Sequence, residues 1–552
     1  MTATTEPHDR APIELPQRTR LEILGAVLLG IFLAALDQTI VGTALPVIVT
    51  DLEGNDLYIW AFTAYLLTAT VSGPIYGKLS DLFGRRPLFM IGVVVFLVGS
   101  ILSGLSQEMW QLIAFRGLQG LGAGALFPIA LAIIADIFAP SERGKYQGLF
   151  GAVFGVSSLL GPGLGGLITD NVGWQWIFYV NVPIGLVVLV IIWRTLPTIR
   201  DPNAERNIDY LGAALFVAAL VPFLIGFTNK QFGEWTDPEV GGLIALGLLL
   251  GAAFIWAESR AKEPIVPLGL FRIRAFTASV FAIFLAAMGF FAAIVFLPRW
   301  YQVVAGSSAT ESGYQILPLL GGLIISAIAS GQIVARTGRY KALILGALVV
   351  LATGLFLLTN LRSDTAPPLV WLWMAITGLG IGPTLAVFTL VVQNSVPVHQ
   401  LGAATSNVTL FQQLGGTVGL AITGTIFGST LLEEVPRQMS AAGVPEPIIS
   451  GFSSGGGSSL NDISGVGDLG ESILSGVPEQ FRAQVEPFVP AIVDGIHQAF
   501  SIATAATFGV GIVTALLAAV LVLVVLPGRR MGEGAESSSS PDARLEPLAI
   551  PE

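Results

Sequence analysis

Apolar runs long enough to cross a bilayer recur along nearly all of this 552-residue chain. A hydrocarbon core of about 30 Å takes about 20 mostly apolar residues as a helix. Fourteen stretches fit: 21–49, 57–77, 87–106, 111–135, 145–169, 174–194, 208–228, 240–258, 276–297, 313–335, 342–360, 369–392, 402–428 and 499–526. Lipid offers no hydrogen bonds, so each run must satisfy its own backbone, which a helix does within one segment. The expected fold is an all-α integral membrane bundle. Charged residues make up 12% of the chain, about half the share in a soluble domain, and the mean hydropathy is +0.76. The first run is too long for a cleaved signal peptide and carries an acid at its centre. There is no cysteine, and His8, His399 and His497 are scattered, so no disulfide, metal or other cofactor is expected.

Basic residues orient the bundle. With a cytoplasmic N-terminus, the inside segments hold Arg10, Arg18, Arg20, Lys78, Arg85, Arg86, Arg143, Lys145, Arg194, Arg200, Arg206, Arg260, Lys262, Arg272, Arg274, Arg336, Arg339, Lys341, Arg529, Arg530 and Arg544. The outside segments hold Lys230, Arg299, Arg362, Arg437 and Arg482, and Arg116 lies within a span. That asymmetry obeys the positive-inside rule and demands an even number of spans, with both termini cytoplasmic. The net charge of −10 gives no reason to expect a nucleic-acid partner.

The chain also repeats itself. Gly77-Lys78-Leu79-Ser80-Asp81-Leu82-Phe83-Gly84-Arg85 recurs as Gly331-Gln332-Ile333-Val334-Ala335-Arg336-Thr337-Gly338-Arg339, with Ala335 in the place of Asp81. Each copy follows the second span of a six-span half. Repeated halves with a substrate path between them are a common transporter architecture. The expected organisation is a tail (1–20), a first six-helix half (21–200), two additional helices (201–262), a second half (263–527) and a second tail (528–552). The loop at 429–498, rich in glycine and serine near 451–459, reads as a flexible outer segment with a helical patch between Pro478 and Asp494.

Polar residues inside the spans carry the chemistry. A carboxylate at the depth of Asp37 costs about 2.5–3.5 kcal/mol on insertion scales, so it is expected to face a wet cavity and to exchange a proton or attract a cation. Its alternative role is a packing bond to a neighbouring helix. Arg116 in the fourth span likewise needs water, a carbonyl or a carboxylate. In the loop motif, Gly77 and Gly84 permit a tight turn and Asp81 is suited to cap a helix. Arg85 or Arg86 is placed to pair with an acid, and Asp136 at the same end of the fourth span is the expected partner. Gly161-Pro162-Gly163-Leu164-Gly165-Gly166 combines a missing helix hydrogen bond at Pro162 with close approach at Gly161, Gly165 and Gly166. Gln38, Thr39, Gln119, Asn407, Gln412 and Gln413 are candidate cavity residues, alongside the aromatic Trp60, Phe62, Tyr65 and Phe290.

These motifs resemble those of the drug/proton antiporters of the major facilitator superfamily, the fourteen-span multidrug exporters. Leu36-Asp37-Gln38-Thr39-Ile40-Val41 with Ala44-Leu45-Pro46 is similar to their first-helix motif, with Gly42-Thr43 where asparagine is frequent. Gly77–Arg86 resembles the loop motif of the superfamily, Arg116-Gly117-Leu118-Gln119-Gly120 the fourth-helix motif, and Gly161–Gly166 the antiporter motif of the fifth helix. The joint from Trp256-Ala257-Glu258 to Pro264–Leu268 and Phe271 also looks like that of the fourteen-span exporters. The resemblance implies two six-helix halves plus two central helices, a latch at Gly77–Arg86 with Asp136, and proton transfer involving Asp37 and Arg116. It further implies antiport of drugs or amphiphilic, cationic small molecules. The few histidines and buried acids argue against an enzyme, the expected setting is a monomer in a plasma membrane, and the excess of arginine over lysine points to a bacterium. The competing reading is a proton-linked carrier of an endogenous lipid, metabolite or self-made antibiotic. No phosphate-binding loop with its lysine is present, which argues against ATP-driven transport.

Overall fold

The structure is a computed structural model that describes residues 15–52, 58–138, 140–198, 209–230, 233–262, 264–397, 400–454, 470, 473–474 and 479–528. Most of both expected tails and the centre of the 429–498 loop lie outside the described residues, as does the side chain of Pro162. Fourteen long helices run through the rest. They are α1 (Gln17–Asp51), α2 (Tyr58–Phe83), α3 (Arg85–Gly104), α4 (Met109–Ile137), α5 (Pro140–Asn171), α6 (Asn181–Thr195) and α7 (Tyr210–Asn229). These are followed by α8 (Leu243–Glu258), α9 (Arg274–Val303), α10 (Leu317–Thr337), α11 (Lys341–Leu358), α12 (Pro367–Ser395), α13 (Leu401–Ala441) and α14 (Val489–Val525). Twelve described helical segments are long and apolar enough to cross a membrane; α2 and α5 stand outside that set, with 26 and 32 residues.

Packing repeats with the sequence. In the first half α4 lies against α2 and α3, α1 against α5 and α6, and α3 against α6. The second half reproduces each contact eight helices later: α12 against α10 and α11, α9 against α13 and α14, and α11 against α14. Each half encloses its own apolar core, one built on Phe89, Phe96 and Ile129, the other on Phe276, Phe388 and Phe508. The halves meet along α2 with α13 and α5 with α10, contacts that the repeat exchanges for one another. Two bodies with separate cores and a helix-on-helix seam can rock without either core being opened.

The added helices α7 and α8 pair with each other, and α7 leans on α2 and α13. Only 28% and 22% of their apolar windows are buried, against 83% for α4. Leu248 and Leu249 are among the exposed large side chains, as expected of a lipid-facing hairpin. The described part of the outer loop agrees with the helical patch expected after Pro478 and is more ordered than expected before the glycine–serine centre. α13 continues unbroken to Ala441, a further helix spans Glu446–Ser454, and another spans Glu479–Val485. Val435, Met439, Val444, Ile449, Ile492 and Ile496 bury a small core there. The apolar residues flanking the glycine–serine centre are spaced to stack, while residues 455–469 lie outside the described residues.

Candidate functional site

Asp37 sits in the body of α1, with Arg116 and Gln119 three residues apart on one face of α4 and Asn181 opening α6. Arg116 Nη1 donates to Asp37 Oδ2 at 2.6 Å, Gln119 Nε2 to Oδ1 at 2.8 Å, and Asn181 Nδ2 to Oδ1 at 3.0 Å. All four residues have no exposed surface. Arg116 Nη1 also donates to Gln119 Oε1 at 2.8 Å, which locks the two α4 side chains into one donor array. Asn181 reaches on to Ser100 Oγ at 3.0 Å, and that hydroxyl donates to the Phe178 carbonyl at 2.8 Å. The guanidinium lies 4.3 Å from the centroid of the Tyr65 ring, within cation–π range. This close approach depends on Gly120, where a methyl group would strike the Tyr65 carbonyl, so α2 and α4 touch backbone to backbone.

Asp37 does not face a wet cavity; it is enclosed, and its charge is balanced by Arg116. Gln119 and Tyr65 belong to the same enclosed site rather than to a cavity wall. Asn181 and Ser100 escaped notice, although an asparagine inside an apolar run is a signal of the same kind as Asp37. A buried ion pair tolerates loss of neither partner, since the one left behind is an uncompensated charge in low dielectric. Arg116 Nη2 and Asn181 Oδ1 are buried without a partner among the described residues, so a donor and an acceptor remain beside the pair.

The other expected residues fall into three groups. Thr39 Oγ1 donates to the carbonyls of Leu36 and, across to α5, Ser157, at 2.9 and 3.1 Å. Gly161 faces that hydroxyl with no room for a methyl group, Gly165 is buried and Gly166 half-buried. Gln38 meets the Tyr65 side chain. In the second half Asn407 is fully buried and donates to the Ala403 carbonyl at 2.7 Å, so it turns back on its own helix instead of lining a cavity. Gln412, Gln413, Trp60 and Phe62 are half-buried, and Phe290 is buried in the second core.

The loop motif forms one of the contacts between halves. Gly84 takes φ 100°, a left-handed turn that lets α3 begin directly after α2, and its repeat partner Gly338 takes φ 66°. Arg85 forms an ion pair with Asp81 and donates from Nε to Asp136 Oδ2 at 3.0 Å and from Nη1 to Ser80 Oγ at 2.7 Å. Arg86 is half-buried and makes no ion pair among the described residues. Asp81 accepts from the backbone N–H groups of Gly402 and Ala403, at 3.1 and 3.0 Å, and so caps α13 of the opposite half. Gly77 and Gly402 permit the approach: a methyl group on Gly77 would lie 2.7 Å from the Gly402 carbonyl. Nearby, Gln393 Nε2 donates across the seam to the Leu131 carbonyl at 3.4 Å. In this conformation the halves are closed at the motif end.

Comparison with known proteins agrees with this architecture. Residues 27–420 match the model of the Major Facilitator Superfamily. The chain is 40% identical to the multidrug transporter protein MdtP of Bacillus subtilis over 415 residues, covering 75% of this chain and 76% of that one. It is 35% identical to multidrug resistance protein 3 of the same organism over 507 residues, 92% and 94% of the two chains. Among solved structures, the proton:xylose symporter XylE bound to 6-bromo-6-deoxy-D-glucose superposes with a TM-score of 0.56 at 15% identity, over 94% of this chain and 98% of the other, a likeness of fold. With its repeated halves, its seam of α2 with α13 and α5 with α10, and the contact its loop motif makes across that seam, this multi-pass membrane protein belongs to the major facilitator superfamily.

Proposed function

We propose that the protein is a proton-coupled exporter of drugs or amphiphilic cationic small molecules, an antiporter working by alternating access. The observation that carries this reading is the Asp37–Arg116 pair, fully buried in the first half. The relatives named as multidrug transporters supply the substrate class. Protonation of Asp37 requires parting from Arg116, and a cationic substrate competes for the same carboxylate once the pair is open. Occupancy by proton or by substrate then selects which end of the seam is closed, and the Asp81–Arg85–Asp136 cluster with the N-terminus of α13 holds the motif end shut. With the N-terminus cytoplasmic, as the distribution of basic residues suggests, that is the cytoplasmic end. A single carboxylate in the site implies few protons per cycle. One proton against one monovalent cation moves no net charge, so only the pH gradient drives it, at about 1.36 kcal/mol per unit.

Ethidium efflux from cells expressing the wild type or Asp37→Asn, with and without a protonophore, tests the reading. Efflux should collapse with the substitution and with the protonophore. Undiminished, protonophore-sensitive efflux by Asp37→Asn would remove Asp37 from the coupling step. A correctly inserted wild type that moves no dye would turn the search to endogenous lipids or metabolites.

A further inference from the structure

The base of the α7–α8 hairpin carries a second pair of acids that the transport mechanism does not use. Asp209 precedes α7 and caps it, accepting from the Gly212 N–H at 2.7 Å through Oδ1. Glu258 ends α8 and is 2% exposed; its Oε1 accepts from the Val266 N–H at 2.5 Å, tying the hairpin to the chain that leads into the second half. The Ile265 N–H also faces the Glu258 carboxyl group, yet Asp209 Oδ2 and Glu258 Oε2 are both buried with no hydrogen-bond partner among the described residues. They converge on one spot, since a methyl group on Gly212 would collide with both. The two carboxyl groups are within hydrogen-bonding reach of each other.

Two carboxylate oxygens repel at that separation, and burial in apolar surroundings deepens the repulsion. Around them lie Phe216, Phe254, Ile265 and Val266. Among the described residues, no charged or titratable group of the neighbouring elements offsets them. Arg260 is stacked on Trp256 at 4.2 Å, while Tyr210, Lys262, Arg272 and Arg274 are exposed. Tyr76 and Lys78 stand on α2, and among the described residues no ion pair joins either carboxyl group to a base. A metal is not indicated, because no group of three ligands is present among the described residues.

We propose that Asp209 and Glu258 bind one proton between them, forming a second protonation site that clasps the base of the added hairpin. With the proton in place, Oε2 or Oδ2 carries the hydrogen and the other oxygen accepts it, and the pair holds a single negative charge. Loss of that proton to solvent leaves two facing carboxylates, which part and release the Val266 tie. The consequence reaches the seam, because the surrounding cluster includes Ile75 of α2 and Leu410 of α13, the helices that meet at the latch. The hairpin is thus a brace on the motif end whose grip weakens as the pH there rises. This holds whatever the transported substrate.

The native chain contains no cysteine, which makes the test direct. A single Ala261→Cys at the joint is labelled with a thiol reagent in purified, membrane-reconstituted protein across a range of pH. The same is done with Glu258→Gln added, whose amide donates permanently to Asp209. The ratio of the two rates removes the ionisation of the thiol itself. Opening linked to one proton should raise that ratio by up to about tenfold per pH unit through the release range. A ratio independent of pH overturns the proposal. If Glu258→Gln fails to fold, Asp209→Asn serves, because asparagine keeps the helix cap. Labelling of the wild-type joint that follows thiol ionisation alone overturns the proposal without either variant.

Discussion

Gly402→Ala isolates the latch from everything that builds the two halves. The added methyl group would lie 2.6 Å from Arg85 Nη1, from Asp81 Oδ1 and from the Gly77 carbonyl oxygen, where ordinary contact is about 3.5–4.0 Å. The two side-chain ends can yield only by giving up the bonds that define the latch, and the Gly77 carbonyl is backbone. Relief therefore requires α2 and α13 to separate. Overpacking of this kind costs about 1–3 kcal/mol. Alanine is also better than glycine inside a helix by about 0.5–1 kcal/mol, but that gain applies in every conformation and cancels from the equilibrium between them. A net 2 kcal/mol moves the equilibrium about 30-fold away from the state closed at the motif end. Spin labels on Arg18→Cys and Thr337→Cys, exposed sites on opposite halves, report the separation there. The long-distance population should rise in Gly402→Ala while the protein stays folded. An unchanged distance distribution in a folded variant would refute the claim that this backbone contact holds the closed state.

The enclosed site makes two further predictions. Arg116→Ala should lower stability by about 3–5 kcal/mol by leaving Asp37 buried and unpaired, and adding Asp37→Asn should restore much of it, read as thermal unfolding in detergent. Asn181→Ala should cost about 1–3 kcal/mol and reduce dye efflux, and a double-mutant cycle with Asp37→Asn should show coupling of about 0.5–3 kcal/mol; a cycle that closes to zero would mean that Asn181 does not act through the carboxylate.

The spans, the repeat and the Arg85–Asp136 pairing were legible because each leaves a local trace: hydropathy, a nine-residue match, or opposite charges at one end of adjacent helices. Burial was not legible. Asp37 reads alike whether it faces water or an arginine, and only the packing of α1 against α4 decides. Asn181 was missed for a related reason: it lies inside the apolar run 174–194, and a neutral amide there reads alike whether it bonds its own helix or a distant carboxylate. Gly402 carries no motif of its own, and its importance arises from Asp81, which is 321 residues away in the chain. In the outer loop, the helical patch after Pro478 was legible from its sequence, whereas the continuation of α13 to Ala441 was not, because its polar residues interrupt the apolar run that marks a span.

The two halves share a path of the chain but not a charge distribution. Ala335 stands where Asp81 stands in the first copy, and Arg339 is exposed where Arg85 is buried. Across the seam, the second half offers Gln393 and the N-terminal amides of α13. The ionic chemistry of the site and of the latch therefore resides in the first half, and one helix joins them. α4 carries Arg116 and Gln119 at the carboxylate site and Asp136 at the latch, a separation of about 30 Å at 1.5 Å per residue. On the proposed mechanism, parting Asp37 from Arg116 shifts α4 against α1, and the same helix delivers that shift to the Asp136–Arg85 bond. Pro128 lies between the two ends, within the helix, and by removing one backbone hydrogen bond gives α4 a place to bend. The second half then needs no titrating group of its own; it needs to present the α13 terminus for Asp81 to hold or release.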